Sequence, residues 1–281
     1  SVDFTNLSPD QVNASKNSKA YKVIPSATTA YLEFNQKDNP VYKNLKIRQA
    51  MSYAIDRKTL ANKILTGTAT PATTFTAAKL AKNPNTGEDF AKSAAVPGAF
   101  AYDKTKAKQL MKEGLKETGK KKLSVQLLAD DTDASKRLAQ FIQAQWQKLD
   151  NVKVTIKVVP FKQRLALSEA KKFQVVIDRW GADYADPSSF LDLATTNSDF
   201  NYGSWSDQAY DDAVNAAKTT DVNDVNKRYE DYKTAEQQIE KQVGVAPLYY
   251  QSSATLMRPS VKNVVLNPVG SPYDWKWAYK K

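Results

Sequence analysis

The chain has 281 residues, 41% of them hydrophobic and 25% charged, with a formal net charge of +11 and neither cysteine nor histidine. This size and balance suit one large or two ordinary domains with a real core. The missing cysteines exclude disulfides, thiolate metal sites and thiol nucleophiles, and the missing histidines remove the commonest general base and transition-metal ligand, so composition weighs towards binding over catalysis. The charge invites a polyanion reading, but the basic residues are overwhelmingly lysine, and the seven arginines (Arg48, Arg57, Arg137, Arg164, Arg179, Arg228 and Arg258) stand singly; no nucleic-acid partner is expected, only a lysine-rich solvated surface.

In chain order, the opening residues Ser1, Val2 and Asp3 carry neither the basic nor the apolar region of a secretory signal, so an export signal is expected to be absent from the chain or removed. Residues 21–24 and 30–34 mix aromatic and β-branched side chains and read as strands without a local partner. From Asn44 the pattern turns helical, with Leu45, Ile47, Ala50, Met51, Ala54 and Ile55 on one face. Asp56 offers an N-cap for a second helix through Leu60, Ile64 and Leu65, closed by Gly67. Residues 67–102 lack periodicity and read as a long ordered loop or surface excursion. Asp103 caps a helix bearing Ala107, Leu110, Met111 and Leu115 that ends near Gly119.

A regular section follows: strand 123–129, helix 134–149, strand 152–159, helix 162–171 and strand 173–180. The first helix shows Leu138, Phe141, Ile142 and Leu149 at helical spacing, and the alternation predicts an α/β domain with parallel strand pairs. Pro187, Ser188 and Ser189 start a further short helix, followed by two longer ones. The last runs over about 223–243 with Val225, Tyr229, Tyr232, Ile239 and Val243 inward, its tyrosines read as core. Residues 245–251 and 254–257 return to extended structure, and the tail carries Trp275 and Trp277. No apolar run approaches the roughly 18 residues that cross a bilayer.

The segment from Asp178 to Pro187 lies where a parallel strand gives way to a helix, and open α/β sheets hold ligands outside the carboxyl ends of their strands. Gly181 permits close backbone approach, Trp180 offers an apolar face, and the Asp183 carboxylate can pair with a cation. Position alone favours a turn cap for Asp183 and a helix cap for Asp186. A third possibility, Asp178, Asp183 and Asp186 gathered around a hard metal, follows no EF-hand spacing. No cofactor is expected.

Trp180-Gly181-Ala182-Asp183-Tyr184-Ala185-Asp186-Pro187-Ser188-Ser189-Phe190-Leu191 resembles the W-x-A-D-Y-x-D/E-P-x-x-F-L stretch of the family 5 extracellular solute-binding proteins, the dipeptide and oligopeptide binders of ABC importers. Asn44 to Arg57 is similar to that family's V-R-Q-A-x-x-Y-A-I-D-R helix. Ala246-Pro247-Leu248-Tyr249-Tyr250, with Leu256-Met257-Arg258-Pro259, is similar to its return to the first lobe. The resemblance implies a periplasmic-binding-protein-like type II lobe with a parallel-rich mixed sheet, in which 39–246 form the C-terminal α/β lobe and 1–38 and 247–281 belong to an incomplete first lobe.

It also implies capture of an extended oligopeptide between two lobes, without catalysis. Asp183 would pair with the ligand's α-ammonium, the backbone of Trp180, Gly181 and Ala182 would form a strand-like edge for the peptide, and Tyr184 would stand beside them. Tyr31, in a stretch similar to the family's pre-hinge strand, is a lesser candidate for the cleft wall and equally a packed strand tyrosine. Ile177 and Ser168 stand where some oligopeptide binders carry arginines for the ligand's carboxylate. The implied partners are the oligopeptide and the membrane permease subunits, with the chain read as a monomer on an extracellular, cell-surface lipoprotein of Gram-positive type. The lipid-anchor cysteine and much of the first lobe lie outside this chain in that reading. A receptor or adhesin that uses the same fold on a signalling peptide or macromolecule is the rival reading.

Overall fold

The computed structural model of the chain describes residues 2–66 and 68–281, so Gly67, the expected end of the second helix, lies outside the described residues. A short strand β1 (Phe4–Asn6) and helix α1 (Pro9–Ser15) lead into β2 (Tyr21–Phe34). The two strands expected at 21–24 and 30–34 are thus one, irregular between Pro25 and Thr29. Its partners are remote in sequence: β6 (Val175–Gly181) and β7 (Ala246–Met257), both antiparallel to it.

Helix α2 (Leu45–Tyr53) starts where expected, with the Asn44 side chain accepting the Ile47 N–H, and its apolar stripe buries Ile47, Ala50 and Met51. Asp56 caps α3 (Arg57–Thr59), which continues as a π turn over Leu60–Ile64. The 67–102 stretch holds a strand β3 (Ala69–Pro71) on β7 and a helix α4 (Phe90–Ala94), and it buries Phe75, Leu80 and Phe90. It is therefore a packed layer of the fold as well as a loop. Then come α5 (Lys104–Glu117), β4 (Leu123–Asp130), α6 (Asp133–Trp146), β5 (Val152–Val159) and α7 (Phe161–Glu169). The last helices are α8 (Ser188–Leu191), α9 (Gln208–Lys218) and α10 (Val225–Gln242).

These strands form one mixed seven-stranded sheet in the order β1-β7-β2-β6-β4-β5, with β3 also on β7. β4 pairs in parallel with both β5 and β6, as the alternating section predicts; the pairings of β1, β2, β3 and β7 with one another and of β2 with β6 are antiparallel. Because successive side chains of a strand alternate between faces, β2 sends Ala30, Leu32 and Phe34 into one core and Tyr31 into another. The first core lies against α2, α5 and α6 and includes Met51, Met111, Leu127, Ile142 and Trp146. The second lies under the 72–94 stretch, α8, α9 and α10, with Phe75, Phe90, Phe190, Tyr210, Tyr229 and Tyr232. Val225, expected inward, is 61% exposed, because the first residue of α10 projects beyond the body that the rest of its stripe covers.

Two buried arginines lock these layers. Arg48 donates to the carbonyls of Tyr42, Lys43, Gln242 and Val243, and Arg57 donates to those of Ser52, Phe100 and Pro247 and to the Ser52 hydroxyl. Burying an isolated guanidinium costs several kcal/mol; several carbonyl acceptors each offset that cost and tie the start of the lobe to the end of α10 and to β7.

Candidate ligand-binding site

The site begins where β6 outruns its neighbour. β4 pairs with β6 only at Val175 and Val176, whereas β2 follows β6 as far as Gly181. Beyond Val176, therefore, no strand among the described residues pairs with the β4 side of β6. The Ala182 N–H crosses to the Ala27 carbonyl at 2.8 Å. Main-chain groups alternate direction along a strand, so those of Gly181 face the open edge while those of Trp180 and Ala182 serve β2. A Cβ on Gly181 would meet Thr28 Oγ1 at 3.1 Å, which favours the smallest residue there.

The next turn separates three aspartates. Asp186 accepts from the Ser188 N–H at 3.0 Å and hydroxyl at 2.6 Å and pairs with Arg228 at 2.8 Å. Burial alone would raise its carboxyl, but the Arg228 and Ser188 contacts outweigh burial and hold it below its ordinary range. Asp178 is buried and lies 2.8 Å from Arg164 Nη1. Asp183 differs from both: it is exposed, its N–H is fixed by the Ser189 hydroxyl at 2.9 Å, and no described residue bonds its carboxylate. The turn-cap role that position suggests for Asp183 is absent; Asp186 is the residue that caps. The three carboxylates do not converge, and among the described residues no group of three acidic, histidine or cysteine side chains could hold a metal.

Around Asp183, Trp180 is half-buried and packs edge-to-face on Phe200, with ring centroids 5.1 Å apart. Its Nε1–H is buried without a partner. Tyr184 is 49% exposed, its hydroxyl 3.2 Å from that of Ser188. Tyr31 is 4% exposed and packs edge-to-face on Phe75 inside the second core, where it lines a small cavity together with Glu33 and Phe200.

Beneath the turn lies a charged cluster that local sequence does not reveal. Arg164 of α7 donates to Asp130 at 3.0 Å and pairs with Asp178, while Arg179 reaches Asp130 at 3.3 Å. Glu33 of β2, 3% exposed, accepts the Gly203 N–H at 2.8 Å through one carboxylate oxygen and leaves the other unpartnered. Burial, and then the nearby Asp178, push Glu33 up to about 8; burial also raises Asp178 against the opposing pull of Arg164. Lys171 completes the floor by donating to the Asn201 carbonyl and the Ser204 hydroxyl, which fixes the segment that carries Phe200. Phe200, 46% exposed beside Trp180, is a wall residue that no sequence motif marks.

This arrangement offers an unpaired strand edge, an aromatic pair and one carboxylate that bonds no described residue.

The family model for bacterial extracellular solute-binding proteins, family 5, matches residues 1–202. A dipeptide-binding protein of Lactococcus lactis subsp. cremoris is 40% identical over 292 residues, covering 100% of this chain and 52% of that protein. The structure of the substrate-binding domain of an oligopeptide ABC transporter from Bacillus anthracis superposes with a TM-score of 0.88 at 33% identity, over 99% of this chain and 54% of that one. The OppA protein of Listeria monocytogenes, solved bound to peptide, gives a TM-score of 0.85 at 34% identity over 99% and 54%. The chain thus spans about half the length of each of these three relatives.

Proposed function

Because the chain belongs to the family 5 bacterial extracellular solute-binding proteins, we propose that it is the peptide-gripping lobe of the substrate-binding component of an ABC peptide importer. The observation that carries this reading is the contrast among the three aspartates. Asp178 and Asp186 are paired within the protein, whereas Asp183 stands unpaired and exposed at the end of the strand whose edge is open. A peptide laid along that edge would exchange main-chain hydrogen bonds with Gly181 and bring its α-ammonium to Asp183, with Trp180, Ala182 and Tyr184 shaping the contact. No reaction is involved.

Capture requires a second wall. The outboard half of the β2–β7 ladder (Tyr21 to Pro25 against Ser252 to Leu256), with β1 beside it, belongs to neither of the two cores and has an aromatic cluster of Phe4, Tyr273 and Trp275 beside it. Trp277 is 60% exposed and Tyr279 57%. We read this arm as the root of a first lobe, with the irregular stretch between Pro25 and Thr29 as the hinge. The lobe boundary then falls within β2 and β7, because Ala30, Leu32, Leu248 and Tyr249 already belong to the α/β core. Anchorage by a lipid at the outer face of the cell membrane, with the permease as second partner, belongs to the same proposal.

The test is titration calorimetry on the two-lobed protein with a tripeptide and its N-acetylated form. Loss of the ammonium contact is expected to weaken binding by about 2 kcal/mol, the scale of one hydrogen-bonded charge. Equal affinities would remove Asp183 from the role.

A further inference from the structure

Helix α5 carries Lys104, Lys108, Lys112 and Lys116 at four-residue intervals, and Lys120, Lys121 and Lys122 continue past its end. Residues four apart share one face of a helix, so these ammonium groups form a single row, and all of these lysines are exposed. Like charges at this spacing disfavour a helix, and their separation of roughly 6 Å is inside the screening length of physiological salt. The two acids of α5 that could interleave with the row are turned away from it: Glu113 and Glu117 both pair with Lys46 of α2, at 2.8 and 2.6 Å.

The row borders a groove of about 570 Å³ between α5 and the turn before β5. Five lysines line it (Lys108, Lys112, Lys116, Lys120 and Lys121), opposed by one carboxylate, Asp150, which lies 3.2 Å from Lys108. No described residue bonds the ammonium group of Lys112, Lys116, Lys120 or Lys121. None of the lining residues belongs to the peptide site, so this inference stands independently of that reading.

We propose that this groove binds a linear phosphate-bearing polymer without bases, such as an anionic phosphodiester chain of the cell envelope. Three features select this partner. The helical part of the row, Lys104 to Lys116, is roughly 18 Å long, too long for one small anion to satisfy. The charges are lysine ammoniums, which recognise phosphate as point charges without the planar fork that reads bases. The groove is lined by no aromatic side chain on which bases could stack, the feature that single-stranded nucleic-acid sites depend on. A concave channel also suits a chain better than a flat bilayer.

The test is fluorescence anisotropy with a labelled short inorganic polyphosphate chain on this protein, in parallel on Lys112→Glu/Lys116→Glu and on Lys19→Glu/Lys63→Glu, an equal charge change at exposed lysines outside the groove. The groove variant is expected to bind at least about tenfold more weakly and to lose part of the salt dependence, the control less than about threefold. Folding is not at risk, because both groove positions are exposed and their ammonium groups bond no described residue, and the melting temperature should change little. Absence of binding by the unsubstituted protein, or equal loss in both variants, overturns the proposal. So does single-stranded DNA of matched charge, or a phosphatidylglycerol vesicle, binding as tightly as polyphosphate.

Discussion

The end of β6 and the turn that follows it put the same residue type to opposite uses. Asp178 is held among Arg164, Tyr31 and Glu33 within the body of the protein, whereas Asp183, five residues on, stands in water with its carboxylate unspent. Side-chain identity does not separate them; what does is how far the surrounding elements bury the carboxylate. At Asp178, where Arg164 of α7 and Asp130 at the end of β4 close over the strand, the charge is desolvated and must be paired, which makes it a structural element. At Asp183, two residues past the end of β6, the carboxylate stays solvated and is available to a ligand.

The largest expected effect breaks the buried side. Asp178→Ala leaves Arg164 with one carboxylate partner in place of two and should destabilise the fold by about 3 kcal/mol or more in chemical denaturation, the cost of breaking a buried pair. Asp183→Ala should change stability by no more than about 0.5 kcal/mol, as for a surface position without partners. Similar losses from both would erase the distinction.

The next effect concerns protons. Glu33 is raised to about 8 in the folded protein, so between its ordinary value and about 8 the folded state holds a proton that the unfolded chain has released. Stability from this group is therefore full at acid pH and falls as pH rises through about 8, by on the order of 1 kcal/mol per pH unit in that window. Glu33→Gln keeps the acceptor for the Gly203 N–H and should flatten the profile, so that the variant is the more stable form at about pH 9. Parallel pH profiles for the two proteins would contradict a buried, protonated Glu33.

The smallest effect sharpens the boundary itself. Gly181→Ala meets only the Thr28 hydroxyl, an end group that can rotate, and should cost under about 1 kcal/mol of stability. In the two-lobed protein it should still weaken peptide binding measurably, because the new methyl rises from the sheet face at the residue whose main chain would pair with the peptide. Unchanged peptide affinity would place the ligand's backbone elsewhere.

Much of this was legible in the sequence wherever the cause was local. Asn44, Asp56 and Asp103 announce helix starts because a cap acts within three residues, and the β4-α6-β5-α7-β6 alternation emerges from periodicity alone. What escaped is non-local. β2 reads as two strands because Pro25 and Ser26 interrupt its pattern, while the partners that hold it together lie more than 140 residues away. The motif around Arg48 and Arg57 is recognisable, but that its arginines spend themselves on carbonyls as remote as Val243 and Pro247 is a property of the folded chain. The Asp130–Arg164–Asp178 cluster joins three elements, each unremarkable by itself. At the site, the resemblance drew attention to Asp183, but only the folded environment distinguishes its free carboxylate from the capping Asp186.

The most direct test of the central claim is a two-dimensional NMR titration of this chain with a tripeptide at millimolar concentration, followed at the backbone N–H of Gly181 and Asp183 and at the Trp180 indole N–H. Progressive shifts are expected at these three positions with the free peptide, and their loss with the N-acetylated peptide or in Asp183→Asn. Equal shifts with both peptides, or shifts that persist undiminished in Asp183→Asn, would contradict the claim.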